Sequence, residues 1–136
     1  MPVWLDVARE YTEWWHHQQH IRDAVGQPGL DSARYLVPTL ATFAHALPVA
    51  FQDVPMKVGT TAVLSVPDIG DWTVRRVGHG WRLYEGAAPK PTARAVVNGE
   101  HAWRLFTRGL PPERAGANLE GDEALAARLL RAEAIL

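Results

Sequence analysis

Hydrophobic and polar positions along the chain follow two different periods, and the change comes after Pro48. From Val3 to Val25 the apolar residues Trp4, Leu5, Val7, Ala8, Tyr11, Trp14, Trp15, Ile21 and Val25 recur at steps of three and four. That spacing predicts one helix with a single apolar stripe. Gly26 suits the end of such a helix, and Pro28 prevents its continuation. Asp31 or Ser32 can cap a second helix running from about Ala33 to Ala46. Pro38 falls inside it and predicts a kink or a late start, and Pro48 is expected to close the segment.

Downstream the pattern shortens to alternation. Ala62–Val66, Trp72–Arg75 and Trp81–Tyr84 are β-branched or aromatic runs separated by the turn sequences Asp68–Asp71 and Gly78–Gly80, which predicts an antiparallel meander. A fourth strand is expected at Ala93–Val97, a helix at about Ala102–Arg108, and a short last strand at Leu119–Gly121. Asp122 should cap a final helix from Glu123 to Ile135, with Leu125, Leu129, Leu130 and Ala134 inward. The fold class is therefore α+β: a two-helix segment over residues 1–48, then a small domain over 49–136 with a mainly antiparallel sheet and helices on one side. Two helices with a full apolar stripe cannot bury it alone. They must pack on the α+β part, on another chain, or on further helices.

Composition narrows the chemistry. With 136 residues and 47% hydrophobic side chains the chain is of ordinary globular make-up. Its formal net charge of −1 gives no reason to expect nucleic acid. No apolar run approaches the roughly 20 residues that cross a bilayer. Asp6, Arg9 and Glu10 stand where a signal peptide needs an apolar core, and there is no cysteine; both fit a cytoplasmic protein without thiolate chemistry of its own.

Histidine is the enriched reactive residue, with His16, His17 and His20 close together. On a helix, Glu10, Glu13, His16, His17 and His20 share one arc. Glu13 and His17 stand one turn apart, so a carboxylate and an imidazole can reach one divalent ion such as Zn²⁺ or Ni²⁺, with His20 joining them or supporting them. The competing reading is an ordinary solvated helix face. His45, between two alanines, reads as a helix-end residue.

The run from Trp4 to Gly26 resembles the last metal-binding motif of the mycothiol-dependent maleylpyruvate isomerase family, whose members contain a DinB-like four-helix bundle. The family pattern is carried here by Glu13, Trp15, His17, Gln19, Ile21 and Arg22. The resemblance implies that Glu13 and His17 are metal ligands. His20 departs from the pattern. The helix that supplies a further histidine ligand in the family has no counterpart in this sequence, so a homodimer completing the bundle is the expected way to bring two Glu13/His17 pairs together.

Trp72–Arg75, Trp81–Tyr84, Ala102–Gly109 and Glu120–Asp122 resemble, in order, the family's sterol-carrier-like C-terminal domain. That resemblance implies a catalytic or substrate-holding arginine, best matched by Arg108, whose planar fork suits a carboxylate. Arg104 reads as a solvated helix residue, and Trp72, Trp81 and Trp103 as core. Two functions follow. One is a thiol-dependent isomerase or transferase using a divalent metal and mycothiol or a similar thiol. The other is a non-catalytic sterol-carrier-like module that binds a small hydrophobic ligand or mediates dimerisation.

Overall fold

The computed structural model describes residues 3–25 and 33–134, with the side chains at 3, 6, 20–25 and 33–35 outside the description. The expected caps at Gly26, Pro28, Asp31 and Ser32 therefore lie outside the described residues.

Helix α1 spans Val3–Val25 and α2 spans Ala33–Phe43, with Pro38 inside it. A single tight turn, Ala44–Ala46, leads directly into α3, Leu47–Phe51. Pro48 does not close the helical segment. It sits in the first turn of α3, where its missing N–H has no intrahelical acceptor to lose. Leu47 and Phe51 are buried on the face that α3 turns inward.

Five strands follow: β1 Thr61–Val66, β2 Gly70–Val77, β3 Gly80–Glu85, β4 Ala93–Val96 and β5 Asn118–Gly121. The expected meander is present, with β1–β2 and β2–β3 antiparallel. The sheet order is β3-β2-β1-β4-β5. β4 returns beside β1 in parallel, pairing Ala62 with Ala93 and Leu64 with Ala95, while β4–β5 is antiparallel. The sheet is thus mainly antiparallel with β1 at its centre.

Helix α4, Gly99–Phe106, starts earlier than its apolar pattern indicates. The Asn98 side chain accepts the His101 N–H at 2.8 Å and begins the helix three residues sooner. As expected, Asp122 caps α5, accepting the Leu125 N–H at 3.1 Å. α5 runs only from Glu123 to Leu129. Beyond it the Ala134 N–H bonds to the Phe106 carbonyl at 2.8 Å, a non-local partner that a continued helix would forgo.

One face of the sheet carries Ala62, Leu64, Val66, Trp72, Val74, Ala93 and Ala95 into a core shared with Leu36, Leu40, Phe43, Leu47 and Phe51 from the N-terminal helices. α4 and α5 add Trp103, Phe106, Leu125 and Leu129 to the same core. The helical segment and the α+β part are therefore packed on one another. No helix among the described residues is long and apolar enough to cross a membrane.

Candidate functional site

The expected single stripe of α1 is two stripes. A step of 100° per residue separates Trp14 from Trp15 by more than a quarter of the circumference, so both cannot face one way. Thr12, Trp15 and Gln19 are buried, with Leu5 and Ala8 half-buried on the same side. Trp4, Val7 and Trp14 point outward, 57%, 64% and 47% exposed, with half-buried Tyr11 between them. The Tyr11 and Trp14 rings are 5.8 Å apart on this outer stripe.

Trp15 fastens α1 to the α+β part. Its ring meets Trp103 of α4 edge-on, centroids 4.9 Å apart at 87°. The Trp103 indole N–H donates to Glu100 Oε2 at 3.0 Å. Glu100 Oε1 accepts from Arg104 Nε at 2.7 Å, and the Arg104 guanidinium lies over the Trp103 ring at 4.3 Å. Arg104 is therefore not the solvated residue its helix position indicates: the glutamate and the indole hold it in a half-buried place. Trp72 and Trp103 are core, as expected, and Trp81 is half-buried with its indole N–H on the Val54 carbonyl.

The proposed ligands divide. Glu10, Glu13 and His17 are exposed on the outward polar arc, whereas His16 leaves that arc and packs 6.1 Å from the Trp103 ring. The His20 side chain lies outside the described residues. Among the described residues no three His, Asp or Glu side chains converge as a metal-binding group. Glu13 and His17 supply two donors, and a tetrahedral site needs two more. Taken with the described residues alone, this donor set does not fit a closed metal centre. His45 lies in the turn before α3, exposed, its ring 5.5 Å from that of Trp4.

Arg108 follows α4 with a φ of 61°, in the left-handed region that favours glycine. Its Nε bonds Glu133 Oε1 at 2.7 Å. That hydrogen bond, and then the charge of Glu133, raise the guanidinium above its ordinary pKa. Arg108 lines an open depression of about 460 Å³ with Leu110, Leu130 and Arg131, with its Nε paired to Glu133. Arg108→Gly should raise the melting temperature measured by calorimetry, because relief at φ 61° outweighs an exposed ion pair. A lower melting temperature would show that the Glu133 pair holds the turn.

The sheet–helix interior is filled. The gap bounded by Leu64, Val97, Phe106 and Leu129 measures about 10 Å³, hardly one water. A second apolar cleft, between Leu5 of α1 and Phe43, Ala46 and Val49, measures about 230 Å³. Both fall below the roughly 300–1,000 Å³ of ordinary small-molecule sites.

No family model matches the chain, and no curated protein matches it. Among solved structures it is similar to the stereoselective inverting sec-alkylsulfatase Pisa1 from Pseudomonas sp., at 11% identity and a TM-score of 0.45 over 77% of this chain. The chain spans 17% of the length of that enzyme. It is also similar to the ubiquinone synthesis protein UbiJ-SCP2, at 11% identity and a TM-score of 0.43, over 67% of this chain and 87% of that one.

Proposed function

We propose that this chain is a non-catalytic, sterol-carrier-like module that works by association, with the outer stripe of α1 as its contact surface and a second copy of itself as the partner. The observation that carries the reading is the exposure of Trp4, Val7 and Trp14 along one line of a helix, flanking the side that is already packed. Contiguous exposed apolar surface of this kind marks interaction sites in soluble proteins. Positions 4, 7, 11 and 14 alternate by three and four, the spacing of a seam between paired helices. Such a seam is self-complementary about a two-fold axis, and a net charge of −1 opposes self-association little. Pairing α1 and α2 with those of a second copy would give a four-helix bundle.

Light scattering behind size exclusion tests this. The wild type should run as a dimer at micromolar concentration, and Trp4→Lys/Trp14→Lys as a folded monomer. A monomeric wild type at high concentration overturns the reading and leaves the stripe to a different partner. The enzymatic alternative, a thiol-dependent isomerase with Zn²⁺ or Ni²⁺ on Glu13 and His17, needs ligands beyond the described residues. Near-stoichiometric metal in the purified protein, lost in Glu13→Ala/His17→Ala, would move the assignment to it.

A further inference from the structure

The sheet face turned away from the helices is not bare. The segment between β3 and β4 folds back across it and is pinned there by Thr73, whose hydroxyl donates to the Gly86 carbonyl at 2.7 Å and accepts the Ala88 N–H at 3.0 Å. Thr92 then rejoins the sheet through its N–H on the Thr61 carbonyl at 3.0 Å. Under this strap lies a cleft of about 420 Å³, within the size range of small-molecule sites, unlike the filled interior.

Its charges are unusual. Arg75 and Lys90 both line it, and Glu85 is the one carboxylate among the lining residues. Among the described residues neither cation has a hydrogen bond or an ion pair, Glu85 included. Arg75 also stands directly opposite Arg82 across the β2–β3 ladder. Like charges so placed destabilise a sheet unless an anion lies between or beside them. Two strands away on the same face, the Arg94 Nε is buried without an acceptor. The depression beside Arg108 is of similar size, but there Glu133 already neutralises the arginine.

The hydroxyls of Thr61 and Thr92 also line the cleft, and so does Tyr84, whose side chain is 41% exposed and opposite Thr73. Cations and hydroxyls suit an oxyanion, and an accessible phenol ring beside them suits a flat apolar body. We propose that this cleft binds a small aryl oxyanion, a phosphate monoester or carboxylate, with its anionic head on Arg75 and Lys90 and its ring against Tyr84. Lys90 stands in the strap with a backbone φ of 49°, its ammonium on a flexible exposed stem.

This inference is independent of α1, so the monomer variant serves as well as the wild type. Titration calorimetry with phenyl phosphate, benzoate and inorganic phosphate tests it. Phenyl phosphate or benzoate should bind saturably, and the tighter of the two identifies the head group. Arg75→Ala/Lys90→Ala should weaken binding about tenfold or more, the loss of charge-assisted hydrogen bonds. Tyr84→Ala should weaken phenyl phosphate and leave inorganic phosphate unchanged. Arg75, Tyr84 and Lys90 are exposed, so these variants should fold, and thermal melts verify it. Arg114→Ala, an exposed arginine outside the cleft, should change nothing. Absence of saturable binding by both aryl probes, or an equal loss in Arg114→Ala, overturns the proposal.

Discussion

Trp103→Ala should lower the unfolding free energy by about 3–5 kcal/mol, the usual cost of emptying a large aromatic site in a core. Trp103 is 2% exposed and carries several attachments at once. Its ring receives Trp15 edge-on, stands beside His16 and lies under Arg104, while its N–H holds Glu100. Truncation leaves a void against Trp15, frees the Glu100 carboxylate of one donor and removes the ring that Arg104 covers. A small domain is stable by only about 5–15 kcal/mol, so the variant should be marginal. Because Trp15 is the principal buried residue of α1, the loss should appear first as release of that helix. Urea unfolding followed by circular dichroism should show a separate early loss of helical signal. Trp103→Phe, which keeps most of the packing and loses the N–H, should cost about 1–2 kcal/mol. A cost below about 1 kcal/mol for the alanine variant would mean that the core closes around the vacancy.

Gly121→Ala should cost about 3 kcal/mol, for two reasons that add. Gly121 holds a φ of 76°, where any side chain is strained. A methyl group there would also lie 2.4 Å from the Thr92 carbonyl oxygen and 3.3 Å from the Ala93 Cα. These are backbone atoms of the neighbouring strand and cannot rotate away. Gly121 pairs with Ala93 at the end of the β4–β5 ladder, and the next residue, Asp122, donates its N–H to the same Thr92 oxygen at 3.0 Å. Relief must therefore come from moving β5, which would displace the cap of α5. Gly116 provides the comparison: its φ is 63°, yet nothing lies within 4 Å of an added Cβ. Gly116→Ala should cost only the conformational part, about 1 kcal/mol. Equal destabilisation of the two variants in thermal melts would show that the contact with Thr92 relaxes freely.

The strands were legible because their alternation is local. Ala62–Val66 and Ala93–Val97 announce themselves by β-branched residues, and Asp122 by its place before an apolar run. What local pattern cannot carry is the choice of neighbour. Nothing within β4 says that it returns parallel to β1 rather than extending the meander. α1 failed differently. Trp14 and Trp15 are both apolar, so the periodicity was satisfied, but only tertiary packing distinguishes the buried Trp15 from the exposed Trp14. Glu13 and His17 do lie on one outward arc, as their spacing requires, and spacing is silent on what faces them. The cleft was beyond reach altogether. Arg75, Tyr84 and Lys90 belong to two strands and a strap, and they meet only through ladder register and the two hydrogen bonds of Thr73.

The unequal placement of the indoles makes the protein its own optical gauge. Trp15, Trp72 and Trp103 are dry whatever happens outside, while Trp4 and Trp14 lie exposed on the outer line of α1, where only a partner would cover them. Dilution that parts two molecules would redden only that wetted pair. An ion lodging on the far side of the sheet would leave their emission colour alone, so one lamp and one cuvette can follow self-recognition separately from ligand capture.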